Sequence, residues 1–93
     1  MNNFEKLKLI EGEFSADEAK EILTSIFSSK INFHNIKNWS SNERFGMDDE
    51  IAQKRIPELR KEMGKLLEIV SEAKTKKRRL VITSEINITL LDA

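Results

Sequence analysis

The sequence predicts an α+β protein of β-α-α-β order, in which an antiparallel two-helix hairpin packs on a small antiparallel sheet. Apolar and polar residues alternate over residues 6–9 and again along Leu80–Leu90, which is the period of a half-buried strand. Between them, two long segments repeat apolar residues at spacings of three and four, as amphipathic helices do. The chain has 93 residues, so we treat residues 1–93 as a single domain.

Composition limits where the protein can act. The chain contains no cysteine, which excludes disulfides and thiolate metal sites and favours a reducing, cytoplasmic location. Its first residues lack the apolar run of a signal peptide, and no segment approaches the roughly 20 apolar residues that span a bilayer, so we expect a soluble protein without a membrane partner. Sixteen acidic and sixteen basic residues balance, so nucleic-acid binding would need a local basic patch.

The first strand and the first helix have clear boundary signals. We predict a strand over residues 5–11, with a bulge where Ile10 interrupts the alternation. Ser15 and Glu18 match the capping-box pattern, in which two side chains satisfy free amide groups of a first helical turn, so a helix should begin at Ala16. The apolar residues of this helix form one stripe, namely Ala19, Ile22, Leu23, Ile26 and Phe27.

A loop and a second helix follow. Residues 38–46 are rich in serine and asparagine, which predicts a connection, and Asp48 or Asp49 should cap the next helix. Pro57 predicts a kink or a later helix start, and Gly64 predicts close approach of the first helix. The second helix carries the apolar seam of a helix pair, namely Ala52, Ile56, Leu59, Met63, Leu66, Val70 and Ala73.

The last segment gives the clearest strand signal and the prediction of a dimer. Its apolar residues occupy even positions, namely Leu80, Ile82, Ile86, Ile88 and Leu90. At roughly 3.3 Å per residue this strand would be far longer than the first, so part of it would lack a neighbour. An unpaired apolar strand edge invites a second copy of the chain. We therefore predict a homodimer that this strand and the helix seam build, with the sheet extended across it.

The single histidine is a candidate site residue. His34 is accompanied by Lys30, Asn35, Lys37 and Asn38, which we place at the end of the first helix, where they should bond free backbone groups or remain solvated. A metal-binding or catalytic histidine needs further ligands or a nucleophile, and the chain offers no cysteine and no second histidine. We therefore expect no metal ion and no catalytic residue.

Three large side chains in the predicted loop are candidates for partner contact. Trp39, Arg44 and Phe45 belong to residue types that often anchor interfaces. Core packing at the open end of the hairpin is the favoured interpretation for the two aromatic residues. A ligand site formed by Lys30, His34 and Trp39 is a further alternative, and it requires a concave pocket.

A basic run joins the second helix to the last strand. Five of its six residues are basic, namely Lys74, Lys76, Lys77, Arg78 and Arg79. Such a run can neutralise phosphates of a nucleic acid if all its charges face one way. Basic residues at a helix C-terminus also oppose the negative end of the helix dipole, and we favour this interpretation. Nucleic-acid contact by these residues stays as the alternative.

The sequence shows no pattern of enzymatic chemistry. Its three glycines are isolated, so there is no glycine-rich phosphate loop, and no paired carboxylates lie in an apolar setting. We therefore predict no enzyme activity and no cofactor. The predicted function is that of a small homodimeric protein-interaction or structural module that also meets an unidentified protein partner. The alternative is a nucleic-acid-associated factor.

Overall fold

The computed structural model describes residues 3–92 and shows two strands and two helices there. Strand β1 covers Asn3–Phe14, helix α1 covers Ala16–Phe45, helix α2 covers Glu50–Thr75 and strand β2 covers Leu80–Leu90. The strands pair in an antiparallel two-stranded sheet, and the helices form a hairpin that follows β1 and precedes β2. The predicted α+β class and β-α-α-β order are therefore confirmed.

The two strands are almost equal in length. β1 has 12 residues and β2 has 11, and their pairing runs from Phe14 opposite Leu80 to Asn3 opposite Leu90. We call the Phe14 end the base of the sheet and the Asn3 end its distal end. The predicted length mismatch is wrong, because β1 pairs with β2 over its whole length. Support for a dimer therefore has to come from the surface of the sheet.

β1 passes its predicted boundary because Gly12 does not end it. Gly12 pairs with Ile82, and the ring of Phe14 lies 3.4 Å from the position that a Cβ atom on Gly12 would occupy. The Phe14 ring therefore lies beside Gly12 at a distance that a Cβ atom would meet in ordinary van der Waals contact. A glycine inside a strand usually weakens it, which is why the residue pattern alone placed the strand end here.

A bulge at Leu9 decides which side chains of β1 share a face. Lys8 pairs with Glu85 and Ile10 pairs with Ser84, so Leu9 has no partner in the register, and the predicted bulge lies next to Ile10. Because the bulge shifts the alternation by one residue, odd positions before it share a face with even positions after it. One face of the sheet consequently carries Leu7, Ile10, Phe14, Leu80, Ile82, Ile86, Ile88 and Leu90.

α1 begins where the sequence predicts. The Ser15 hydroxyl accepts a hydrogen bond from the Glu18 backbone at 3.2 Å, and the Glu18 carboxylate accepts one from the Ser15 backbone at 3.0 Å. Both halves of the capping box are therefore present, and the helix starts at Ala16.

α1 is longer than predicted and includes most of the expected loop. It continues to Phe45 and ends at Gly46, whose φ of 66° lies in the left-handed region that glycine adopts without steric cost. Inside this stretch the Asn42 side-chain amide donates to the Asn38 carbonyl at 3.0 Å, so a residue type that favours loops is accommodated in the helix. The loop prediction is therefore wrong, and His34 lies inside the helix.

Asparagine and aspartate side chains fix the turn between the helices. The Asn38 side-chain oxygen accepts a hydrogen bond from the Asp49 backbone at 2.8 Å, and the Asn42 amide donates to the Asp48 carboxylate at 2.8 Å. The Asp49 carboxylate accepts from the Ala52 backbone at 2.8 Å and caps α2, which confirms one of the two predicted caps. Polar contacts therefore tie the end of α1 to the start of α2.

The predicted seam of α2 is confirmed, because each of its residues is buried or half-buried. Near the base, Ala16 and Ala19 of α1 share a core with Leu66, Val70 and Ala73 of α2. Small side chains at this point allow the two helices to approach closely. The seam is used within the chain, so the prediction that it also builds the dimer is wrong.

Three positions in and after α2 depart from the expected backbone pattern. The helix runs through Pro57 from its start at Glu50, so the later start is wrong. Gly64 is exposed, and a Cβ atom there would meet nothing within 4 Å, so the predicted close approach of α1 is wrong as well.

After the helix, Lys77 has a φ of 54° and the Arg78 backbone donates to the Ala73 carbonyl at 2.8 Å. Lys77 thus takes the helix-end position that glycine usually occupies.

We expect Gly64→Ala and Lys77→Gly each to raise the free energy of unfolding, by up to about 1 kcal/mol. Alanine costs less backbone entropy than glycine inside a helix, and glycine removes the steric cost of a left-handed residue. Denaturant unfolding followed by circular dichroism measures both changes. A destabilised Gly64→Ala variant would contradict the open surroundings of Gly64.

The capping box lowers the pKa of Glu18. The hydrogen bond from the Ser15 backbone is the main cause, and the hydrogen bond with the Ser15 side chain adds to it. Desolvation opposes them, and the Arg79 guanidinium lowers the pKa by the smallest amount. Because folding favours the charged form, this contribution to stability is present above the unfolded pKa. It is lost as the pH falls through the lower folded pKa.

Replacement of Ser15 by alanine tests the capping box. We expect Ser15→Ala to lower the free energy of unfolding by about 1 kcal/mol and to move the pKa of Glu18 part of the way back toward 4.5. Thermal unfolding measures the first change, and an NMR titration of the Glu18 carboxyl carbon measures the second. Ser28→Ala, at an exposed position inside α1, is the control. It should leave the pKa of Glu18 unchanged and should not lower the free energy of unfolding, because alanine favours the helix more than serine does.

Candidate functional site

The chain is far more extended than a compact monomer. Its radius of gyration is 16.8 Å, and its extents are 50 × 36 × 15 Å, whereas a compact domain of this length has a radius of gyration of about 12 Å. Its accessible surface is 7521 Å², and a folded monomer of this mass exposes about 5,500 Å². The chain therefore exposes about 2,000 Å² more than a compact monomer would.

Part of this additional exposed surface lies on the distal half of the sheet. At the base, Phe14, Leu80 and Ile82 pack against the core of the helical hairpin, and Ile10 is buried. Farther along the same face, the apolar side chains of both strands are exposed. These residues are Leu7, Ile86, Ile88 and Leu90, and we call them the distal apolar face. Two polar residues of β1 share this face, since Glu5 lies opposite Ile88 and Asn3 lies opposite Leu90.

The residues predicted for the dimer strand divide into two groups. Leu80 and Ile82 contact the chain's own helices, whereas the other three belong to the distal apolar face. Leu7 completes that face, and the sequence interpretation missed it. The bulge next to Ile10 is the signal that finds it, because the shift in alternation moves Leu7 onto the apolar side.

His34 is buried in α1 and lacks hydrogen bonds. Its side chain is 5% exposed, and neither ring nitrogen has a partner among the described residues. Its ring meets the Phe33 ring edge-on, with centroids 5.4 Å apart. The prediction that His34 would bond free backbone groups at a helix end is wrong, because α1 continues well past it.

The predicted contact residue Lys30, together with Lys37, flanks an aromatic ring. The ammonium groups of Lys30 and Lys37 lie 5.1 and 5.5 Å from the centre of the Phe33 ring, within the range of cation–π attraction. Lys30 and Phe33 also line an open groove between the helices. His34 and Trp39 are not among the residues that line this groove, so the three residues considered for a ligand site do not converge on it.

The tip of the hairpin exposes large apolar side chains. Trp39 is 65% exposed and Phe45 is 72% exposed, and the neighbouring Arg44 is exposed as well. Met47 and Ile51 are exposed near the same turn. The expectation that the two aromatic residues pack onto the helices is wrong, because polar hydrogen bonds close this turn. The tip therefore presents residue types that often anchor interfaces.

Carboxylates of the chain pair with much of the basic run. Three of its cations form ion pairs, namely Lys74 with Asp17 at 3.2 Å, Lys76 with Glu72 at 2.6 Å and Arg79 with Glu13 at 3.0 Å. These partners belong to α1, α2 and β1 respectively. Because the paired cations point toward three different elements, they do not present one surface to a phosphate backbone.

The described residues contain no arrangement of three or more histidine, aspartate and glutamate side chains that could hold a metal ion. Within residues 3–92, neither helix combines the length and the apolar character needed to cross a membrane.

Comparisons with models of known protein families, with curated proteins and with solved structures give no significant match. Function therefore has to be inferred from the geometry of this chain.

We expect His34→Leu to raise the free energy of unfolding by about 1–2 kcal/mol, because leucine fills a similar volume without burying two unpartnered nitrogen atoms. Denaturant unfolding at neutral pH measures the change. His34→Ala is the matched variant, and it should be destabilised because it leaves a cavity. A loss of stability in His34→Leu would contradict the absence of partners for the ring nitrogens.

Proposed function

We propose that this chain is one subunit of a cytoplasmic homodimer that serves as a protein-interaction or structural module. The observation that carries the proposal is the distal apolar face, whose large aliphatic side chains are exposed on a two-stranded sheet. A sheet of two strands is marginal by itself. The excess surface of about 2,000 Å² is of the size that obligate dimers bury on each subunit.

A second copy of the chain is the occupant that this face fits best. A two-fold axis brings the same sheet from another subunit to the interface, so aliphatic residues of one subunit meet aliphatic residues of the other. Within residues 3–92, each strand also keeps one edge without a neighbour, and a strand edge that is not protected pairs readily with another strand. The balanced charge of the chain removes net electrostatic repulsion between two copies.

The protein-interaction part of the proposal concerns the hairpin tip. α1 has 30 residues and is therefore about 45 Å long, which separates the tip from the base of the sheet. A dimer formed by the sheet leaves Trp39 and Phe45 accessible at the far ends of its two hairpins. The long helices also suit a structural role, because they keep the two hairpin tips at a fixed distance from the sheet of the dimer.

Nucleic-acid association through residues 74–79 is the second candidate and has less support. Two cations of the run, Lys77 and Arg78, have no carboxylate partner among the described residues and could still contact phosphates. A homodimer would present four such cations. The ion pairs of the other three cations would have to break for the whole run to face phosphates.

A pair of lysine substitutions on opposite faces of β2 tests the proposal. We expect Ile88→Lys to weaken the dimer by at least about thirtyfold in Kd, because each subunit then loses an aliphatic side chain from the contact and has to desolvate an ammonium group there. Thr89→Lys, one residue away on the opposite face, should leave the dimer intact. Light scattering behind a sizing column measures the mass of each variant across micromolar concentrations.

Three outcomes would contradict either the homodimer or the assignment of the distal apolar face as its interface. A monomeric mass for the unmodified chain overturns the homodimer itself. An Ile88→Lys protein that remains dimeric, or a Thr89→Lys protein that dissociates to the same extent, shows that the distal apolar face is not the interface. Ile88 is already partly exposed in the single chain, so lysine should be tolerated in the fold.

A further inference from the structure

The two open edges of the sheet differ in chemistry. β1 has the bulge at Leu9 and a high density of charged side chains, namely Glu5, Lys6, Lys8, Glu11 and Glu13. β2 has a regular register over its own residues and a single charged residue, Glu85. Bulges and charges are the features that protect strand edges from pairing. The edge of β1 is therefore protected, and the edge of β2 is open to another strand.

We propose that two copies join through antiparallel pairing of β2 with β2 of the partner subunit. The result is one four-stranded sheet in which the two β1 strands are the outer strands. This inference rests on the proposed homodimer and specifies how it is built. It also removes the unprotected edges, since only the charged and bulged β1 edges remain open.

The register with full overlap keeps the apolar faces on one side. When the two 11-residue strands overlap completely, Leu80 lies opposite Leu90 of the partner subunit and Ile82 lies opposite Ile88 of the partner subunit. All these residues occupy even positions, so their side chains project from the same face. Each distal apolar face then continues into the base of the other subunit's sheet.

This arrangement also gives the distal apolar face a cover. In the single chain, the helical hairpin packs over the base of its own sheet only. A cavity of about 250 Å³ lies beside that base, with Ile69, Arg78 and Leu80 among its lining residues. Leu90 of the partner subunit would lie next to Leu80 and therefore beside this cavity. Each helical hairpin thus covers the base of its own sheet and the distal end of its partner's sheet.

Glu85 lies at the centre of the proposed pairing, opposite Glu85 of the partner subunit. Two carboxylates at about 5 Å repel each other when they are directly opposite. Lys8 lies opposite Glu85 on the same face, and in the single chain its ammonium group pairs with Glu11 at 3.2 Å. In the proposed dimer this exposed group turns to Glu85 and offsets the repulsion. The two Lys8 side chains are then three strand spacings apart, at about 14 Å.

A single cysteine at Glu85 tests this geometry, since the chain has no cysteine of its own. We expect Glu85→Cys to form covalent dimers under mild oxidation or with a short bis-maleimide. Lys8→Cys, on the same face but on β1, is the matched control and should cross-link at least about tenfold more slowly, because its effective concentration is far lower. Circular dichroism establishes that both variants keep the fold, and light scattering establishes that both are dimeric before cross-linking.

The outcomes separate this inference from the proposed function. Rapid cross-linking of Glu85→Cys alone supports the pairing of the β2 strands. If the protein is dimeric and Lys8→Cys cross-links faster, if both variants cross-link equally, or if neither does, the β2 pairing is overturned while the homodimer stands. A monomeric protein overturns both.

Discussion

The fold depends on a short apolar junction at the base, where the sheet meets the helical hairpin. Phe14, Leu80 and Ile82 contact a core formed by alanine, leucine and valine side chains of both helices. This junction is short compared with the elements that it joins, since β1 has 12 residues and α1 has 30. The strands therefore continue past the part of the sheet that the helices cover, and their apolar alternation continues with them. A single chain leaves that alternation exposed to water, which is the physical reason for inferring a second subunit.

The features that the sequence predicted correctly are those whose signals lie within a few residues of each other. The capping box at Ser15, the cap at Asp49 and the seam of α2 all arise from fixed spacings along one helix. Strand β2 was predicted with its observed bounds because its alternation has few interruptions. The fold class followed from the order of these elements.

The errors arose where contacts from outside a segment override its local preference. Gly12 is part of β1 because it pairs with Ile82, and this contact cannot be read from the residues around the glycine. The stretch from Asn38 onward is helical because its asparagine side chains find hydrogen-bond partners in the helix and the turn. The candidate surface was predicted in part: the exposed isoleucines of β2 were identified, whereas Leu7 was missed, since its place on that face follows from its pairing with Ile86 across the sheet.

The proposed homodimer accounts for both the extended shape of the chain and its exposed aliphatic residues. The most direct measurement is sedimentation equilibrium of the unmodified chain over a range of micromolar concentrations. We predict a mass of twice the 10.8 kDa of one chain, together with a single cooperative unfolding transition whose midpoint rises with protein concentration. A mass of 10.8 kDa at every concentration would contradict the claim.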